Sequence, residues 1–252
     1  MMNSLDLASS LAATAITTPR GLIARPVAKQ PAQLIQLYDM ENCPYCRIVR
    51  EAVTSLDIDV QLMPCPKGGE RFRPEVVARG GKAQFPFIVD PNTGTERYDS
   101  VGIIQYLYET YAERRPLPGF VLRSINTMAA QFASGLRMGR GLRAAASIQP
   151  EQPLELYSFE GSPFARLVRE RLCELEIPYI LRTLGKIKAT DFLPPPIRDR
   201  WMPEYQFEGR NRTRLFELAG KVQVPYLIDS NTGEAMFESR KILSYLSDTY
   251  AR

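Results

Sequence analysis

Leu34-Ile35-Gln36-Leu37-Tyr38-Asp39-Met40-Glu41-Asn42-Cys43-Pro44-Tyr45-Cys46-Arg47-Ile48-Val49-Arg50-Glu51 reads as a strand, a turn and the opening of a helix. In that setting Cys43 stands at a helix N-terminus, where unpaired backbone N–H groups and the helix dipole stabilise a thiolate. Cys46, three residues on, faces it. Pro44 suits the first helical turn because it has no N–H to lose and its φ is already helical. A zinc half-site is the other reading of a Cys-x-x-Cys pair, and it needs two further ligands. The chain has no histidine, and its remaining cysteines, Cys65 and Cys173, are single. No metal is therefore expected, and the pair reads as a redox dithiol.

The same stretch is written a second time. Leu154-Glu155-Leu156-Tyr157 repeats the strand, and Gly161-Ser162-Pro163-Phe164-Ala165-Arg166-Leu167-Val168-Arg169-Glu170 repeats Asn42 to Glu51 at an offset of 119. Further on, Gly81-Lys82-Ala83-Gln84-Phe85-Pro86-Phe87-Ile88-Val89-Asp90 matches Gly220-Lys221-Val222-Gln223-Val224-Pro225-Tyr226-Leu227-Ile228-Asp229 at an offset of 139. Asp99-Ser100 matches Glu238-Ser239. The second copy thus carries an insertion in or near the proline-rich stretch from Ala189 to Phe207, which includes Pro194-Pro195-Pro196 and the sole tryptophan, Trp201.

Each copy reads β-α-β-α-β-β-α. The hairpin turns are Asp90-Pro91-Asn92-Thr93-Gly94 and Asp229-Ser230-Asn231-Thr232-Gly233, where Asn and Gly are expected to take positive φ. Ile103, Ile104, Tyr106 and Leu107, with Ile242, Leu243, Tyr245 and Leu246, show helical spacing in the final helices. The expected class is α/β with small mixed sheets, as two tandem thioredoxin-like modules. Residues 1–32 form a leader, 33–113 the first module, 114–152 a basic linker and 153–252 the second module. Both leaders carry a possible helix: Ser4 as a cap with Leu7, Leu11 and Ala15 on one face, and Leu122, Ile125, Met128, Phe132 and Leu136 in the other. The first leader's Arg20-Gly21-Leu22 returns as Arg140-Gly141-Leu142. Since a related leader sits mid-chain, the N-terminus is expected to be a packing element or flexible arm rather than a targeting signal.

The 252 residues, 44% of them hydrophobic, suffice for two ordinary domains, and no run of apolar residues is long enough to span a membrane. A net charge of +4 is too small and dispersed to argue for nucleic acid. Arg114, Arg115, Arg123, Arg137, Arg140 and Arg143 fall in a stretch without acidic residues: a solvated linker and helix face, or a docking surface for an acidic partner or anionic lipid. Few cysteines and a cycling dithiol point to a cytoplasmic location.

The tetrad Cys43-Pro44-Tyr45-Cys46, the Phe85-Pro86 and Val224-Pro225 pairs before strands, and Asp99-Ser100 and Glu238-Ser239 at helix starts resemble the N-terminal domain of glutathione transferases and their glutaredoxin relatives. The resemblance covers roughly residues 33–112 and 153–250. It implies cis prolines whose preceding residue pairs with a peptide-like ligand, and an acidic-Ser pair that grips the γ-glutamyl end of glutathione. In the first copy it implies glutathione-dependent thiol–disulfide exchange at Cys43, resolved by Cys46 or a second glutathione. Tyr45, Lys82, Phe85, Pro86, Asp99 and Ser100 would hold glutathione as co-substrate, with Lys67, Arg71 and Arg73 as further candidates for its glycyl carboxylate. Clients would be glutathionylated or disulfide-bearing proteins.

Cys65 is a possible third redox thiol, Cys173 a core residue, and Arg47 a source of positive potential or a surface residue. In the second copy Ser162 and Ala165 replace the cysteines, which excludes thiol exchange there. Ser162, Val224, Pro225, Glu238 and Ser239 would form a second site that binds glutathione or a client. The alternatives are transferase-like conjugation through the Ser162 hydroxyl, and a non-catalytic glutathione-binding or redox-sensing scaffold. A full transferase adds a C-terminal helical domain, for which no room is expected before Arg252. An iron–sulfur cluster or haem, held by some relatives across a homodimer, is left open by the sequence.

Overall fold

The computed structural model describes residues 4–17, 21–114, 116, 123–137, 139–193, 195–202 and 204–252. Arg20, Arg115, Leu122 and Pro194, invoked above, lie outside the described residues, as do the side chains of Ser4, Arg123 and Ile125. After helix α1 (Ser4–Thr17) the first repeat runs β1 (Ile35–Asp39), α2 (Pro44–Leu56), β2 (Val60–Pro64), α3 (Arg73–Gly80), β3 (Phe87–Asp90), β4 (Thr95–Tyr98) and α4 (Ser100–Tyr111). Helix α5 (Arg123–Gly135) precedes the second repeat. That repeat runs β5 (Leu154–Ser158), α6 (Pro163–Glu174), β6 (Tyr179–Thr183), α7 (Pro195–Trp201), α8 (Arg210–Ala219), β7 (Tyr226–Asp229), β8 (Glu234–Phe237) and α9 (Ser239–Tyr250). Each repeat has the expected order, with the insertion supplying a short 3-10 turn and α7. Among the described residues no helix is long and apolar enough to cross a membrane.

The two sheets are one. Strand order is β4-β3-β1-β2-β6-β5-β7-β8, and β2 joins β6 antiparallel through Val60↔Leu181, Gln61↔Ile180 and Leu62↔Tyr179. Pairing equivalent edge strands antiparallel relates the repeats by a pseudo-twofold axis and removes an exposed edge from each. Below α2, α4, α6 and α9 a single apolar core runs through both repeats, from Leu37, Val53 and Ile104 to Leu156, Val168 and Ile242. The opposite face carries two separate small cores, one under α3 around Tyr38, Phe72 and Phe87, the other under α8 around Tyr157, Leu215 and Tyr226.

The leaders cross the axis. Helix α1 packs on α6 of the second repeat, α5 packs on α2 of the first, and the two helices touch each other. The extended segments that follow them cross as well. Ala24 N donates to Lys186 O at 2.9 Å and Lys186 N to Leu22 O at 2.7 Å, and the related pair is Ala144 N to Lys67 O at 2.9 Å and Lys67 N to Leu142 O at 2.7 Å. The helices form where expected, and most of their larger apolar positions turn outward: Leu11, Ala15, Met128, Phe132 and Leu136 are exposed and Leu7 is half-buried, while Ser10, Ala13, Ala130 and Ala133 are buried. Close approach explains it. Ser10 Oγ donates to Pro163 O at 2.7 Å and Thr14 Oγ1 to Gly161 O at 3.1 Å, and such contacts admit only small side chains between the backbones. In the hairpins Gly94 and Gly233 alone take positive φ (72° and 78°). Asn92 and Asn231 instead clamp the incoming chain with their amides, bonding Gln33 and Gln152.

Charge is buried along the axis to an unusual degree for a core. Arg50 Nε donates to Glu160 Oε2 at 2.9 Å, and Arg169 NH2 lies 3.1 Å from both Glu41 Oε1 and Glu160 Oε2. Arg50 also reaches Glu41 Oε2 at 3.3 Å and pairs closely with Asp39. Arg137 pairs with Glu170 at 2.6 Å. Losing one member would leave an uncompensated buried charge, which costs about 3–5 kcal/mol. At the seam's other end Asp59 accepts from Arg182 and Arg210, and Asp57 accepts from Thr183 Oγ1 at 3.1 Å.

Burial pushes the Asp57 carboxyl up to about 7, and burial outweighs Arg50 to push Asp39 up to about 6. Unfolded aspartates titrate near ~4, so both carboxyls bind their proton more tightly in the fold. Their contribution to stability is complete below that value and is lost as pH rises through about 6 and about 7. The urea midpoint should therefore fall between about pH 4 and about pH 7 and level off above that, and Asp57→Asn should flatten that fall; an unchanged slope in the variant would show that Asp57 takes no part.

Candidate functional site

Strand register gathers the predicted residues at one end of the sheet. Tyr38 pairs with Phe87 and Phe87 with Tyr98, so the turn after β1, the residues before β3 and the residue after β4 share an edge. Cys43, Pro86 and Asp99 thus come to one side. The second repeat does the same through Tyr157↔Tyr226 and Tyr226↔Phe237, which aligns Ser162, Pro225 and Glu238. Both Phe85-Pro86 and Val224-Pro225 are cis.

Cys43 is the N-cap of α2, with extended backbone (φ −82°, ψ 122°) and Pro44 as the first helical residue. It is 8% exposed, and Cys46 is fully buried. The Cys46 thiol donates to the Cys43 sulfur, and with the N–H groups of Cys46 and Tyr45 and the charge of Arg50 this outweighs burial to bring Cys43 down to about 7. Cys46 moves the opposite way, well above an ordinary thiol, because of its burial and its neighbours Cys43 and Asp39. The pair therefore has one sulfur that ionises near neutrality and one that stays protonated.

Around the dithiol, Tyr45 is 39% exposed. Arg73 lies 4.8 Å above the Phe85 ring, and the Lys82 ammonium lies 5.0 Å from the Tyr98 ring. Arg71 is turned away from the dithiol, donating to Leu175 O of the second repeat at 2.9 Å and to Ser147 O of the linker at 2.7 Å. Lys67 is exposed, with its backbone in the crossed leader contact. Asp99 and Glu238 each precede a buried serine, Ser100 or Ser239, and hold a positive φ of 70° and 73°. A non-glycine residue in that region is strained, and strain of this kind gathers at ligand sites. The two differ in use: the Asp99 carboxylate accepts from Gly102 N at 3.2 Å, whereas Glu238 makes no cap and lies 3.4 Å from Lys241.

Ser162 is only 2% exposed, and its hydroxyl accepts from Ala165 N at 3.2 Å as an ordinary N-cap. Helix α1 is fastened beside it through Pro163 and Gly161. Cys65 is fully buried, with its thiol pushed up mainly by burial, so it is not poised as a third redox thiol. Cys173 is buried as expected, its thiol donating to Gly141 O at 3.3 Å. Arg47 is buried rather than surface-lying. It faces Glu51 at 3.5 Å and Glu160 at 3.8 Å, and the arginine that acts on the thiols is Arg50. Sequence reasoning passed over Arg50, Asp39 and Glu160. A signal was present, since arginines and glutamates recurring inside two otherwise apolar helices mark a buried network. Among the described residues no group of three or more His, Cys, Asp or Glu is disposed for a metal ion.

Alkylation of Cys43 with iodoacetamide should follow a midpoint near about 7 while Cys46 stays unreacted until far higher pH; a midpoint in the ordinary thiol range would remove the activation described here.

The model of the family described as "Glutathione S-transferase, N-terminal domain" matches residues 37–115 and again 156–252. None of the curated proteins matches the chain. Among solved structures, "Leishmania TDR1 - a unique trimeric glutathione transferase" is similar at 12% identity over 88% of this chain and 68% of that one, with a TM-score of 0.28, too loose a likeness to bear on the fold. Matched over most of its length, once in each repeat, the chain belongs to the glutathione S-transferase N-terminal domain family.

Proposed function

We propose that the protein is a glutathione-dependent thiol–disulfide oxidoreductase working through Cys43, with Cys46 as its partner thiol. The observation that carries this reading is the division of labour within the tetrad, in which Cys43 is brought down to about 7 and Cys46 is held protonated. A thiolate with a pKa near ambient pH is the most effective attacking species, since lower values cost nucleophilicity. The Cys43 thiolate attacks the sulfur of glutathione in a protein–glutathione mixed disulfide. The old S–S bond breaks, a Cys43–glutathione disulfide forms, and the protein leaves as a thiolate that takes up a proton. A second glutathione thiolate then attacks this disulfide, releasing oxidised glutathione and restoring the Cys43 thiolate. Cys46 offers the other route, closing a Cys43–Cys46 disulfide and releasing glutathione.

In this reading glutathione lies along the edge shared by Tyr45, Lys82, Phe85, Pro86, Asp99 and Ser100, with its γ-glutamyl end at the N-terminus of α4. The second repeat keeps the corresponding Val224, Pro225, Glu238 and Ser239, so it retains the means to hold glutathione or a client but no sulfur. Conjugation at Ser162 draws no support from a hydroxyl that is buried and already serving as a cap.

Cys43→Ser should abolish reduction of a glutathionylated peptide, while Cys46→Ser should retain much of it, since the second glutathione can still resolve the intermediate. Equal loss in both variants would argue for an obligatory intramolecular disulfide, and full activity in Cys43→Ser would overturn the assignment.

A further inference from the structure

The two repeats are alike where charge is buried and unlike where sulfur is. Glu41 and Glu160, Arg47 and Arg166, Arg50 and Arg169, and Glu51 and Glu170 are equivalent and identical. Cys43 and Cys46 become Ser162 and Ala165, and a third difference accompanies them: Asp39 becomes Ser158. Arg169 meets the Ser158 hydroxyl at 3.0 Å where Arg50 meets the Asp39 carboxylate. The carboxylate beneath the arginine is therefore found only in the repeat that has the dithiol.

Arg50 is what links the two. It is 1% exposed and held between partners: Asp39 at the end of β1, Glu41 O at 3.0 Å in the turn before Cys43, and Glu160 Oε2 at 2.9 Å from the other repeat. An arginine can hold three such partners at once because its five N–H donors are fixed in a planar fork. We propose that Glu160, from the repeat without a dithiol, is a positioning residue for the dithiol of the other repeat, acting through Arg50 and Asp39. Glu160 fixes where the guanidinium sits, and the guanidinium fixes the Asp39 carboxylate, whose charge acts on Cys46. The thiol-less repeat thereby becomes a working part of the first repeat's site.

The direction of the effect follows from the charges. Arg50 favours the thiolate of Cys43, and Asp39 disfavours ionisation of Cys46, so that Cys46 remains the donor to Cys43. Other charged and titratable groups in the same buried cluster are Glu41 in the preceding turn, Arg47 and Glu51 on α2, Arg166, Arg169, Glu170 and Cys173 on α6, and Tyr179 on β6. All of them stay in place in the Asp39 and Glu160 variants below. Removing a negative charge from either Asp39 or Glu160 leaves Arg50 less neutralised, so the Cys43 thiolate should form at lower pH.

The inference rests on the dithiol reading above, but its test needs neither glutathione nor turnover. Cys43 alkylation by iodoacetamide is followed across pH in the full-length protein. Asp39→Asn should move the midpoint down by about one pH unit, and Glu160→Gln should move it in the same direction by less. In the double variant the shift should fall short of the sum, because both act through one guanidinium. Glu170→Gln, which disturbs the Arg137 pair in the same buried cluster but does not touch Arg50, should lower the melting temperature and leave the midpoint alone. If Glu160→Gln does not fold, Glu160→Asp, which withdraws the carboxylate by one methylene, takes its place and should also shift the midpoint. A folded Glu160 variant whose profile superimposes on the parent's overturns the proposal, as does an equal shift from Glu170→Gln. A shifted profile in a protein that reduces no glutathionylated peptide would sink the oxidoreductase reading and leave this one standing.

Discussion

Four side chains on the pseudo-twofold axis, Arg50, Arg169, Glu41 and Glu160, hold the rest of the molecule in place. Each arginine reaches both glutamates, one from its own repeat and one from the other. Charges at 1–7% exposure are expensive to desolvate, and only mutual neutralisation in good geometry makes them tolerable. Replacing such a cluster with well-packed apolar residues is often no less stable, so its value lies in specificity more than in strength. Here each glutamate meets an arginine of both repeats, so the charges cancel in the register in which one repeat docks against the other. Burial and opposing arginines act in contrary directions on Glu160, and Arg169, Arg50 and Arg47 prevail, holding it down at about 2. It is ionised throughout the physiological range.

That constraint reaches the sheet below and the helices above. The antiparallel β2–β6 junction continues two small sheets as one, and the shared core beneath α2, α4, α6 and α9 crosses the junction without interruption. Above it the leaders exchange sides, so that each repeat is roofed by a helix belonging to the other. Arg166 shows the limits of the arrangement. It is 2% exposed, its NH1 donates to Ser10 O at 2.8 Å, and its carboxylate neighbour one turn on, Glu170, is taken by Arg137. Burial and the nearby Arg47 accordingly draw it down to about 9, although it stays cationic at neutral pH.

Much of the fold was legible because it is written locally and twice. The strand-like run Leu34–Tyr38, the proline at a helix start, and the Asn-Thr-Gly turns are features of adjacent residues, and the repeat supplies each of them again. The site's edge was legible for the same reason, since strand register follows from those turns. What escaped was everything that depends on the other repeat. Apolar spacing in the leaders gathered Leu11 and Phe132 into helical faces, but the partner surface is backbone at close range, which selects small residues such as Ala13 and Ala130 for burial. Arg47 was weighed by its place beside the tetrad, whereas its surroundings are set by Glu160, more than a hundred residues away in sequence. Periodicity reports how a helix is amphipathic and is silent on what it will meet.

Sulfur stands at the helix start in only one half, a difference that the connectivity permits. Were these modules separate molecules that paired about the same axis, any substitution would be inherited by both sides at once, and a change harmful to chemistry could not be confined. Tethering them end to end frees each side to drift alone. One can surrender its reactive atoms while keeping the salt links and strand edge that its neighbour leans on, so that division between a chemist and a buttress becomes possible within a single polypeptide.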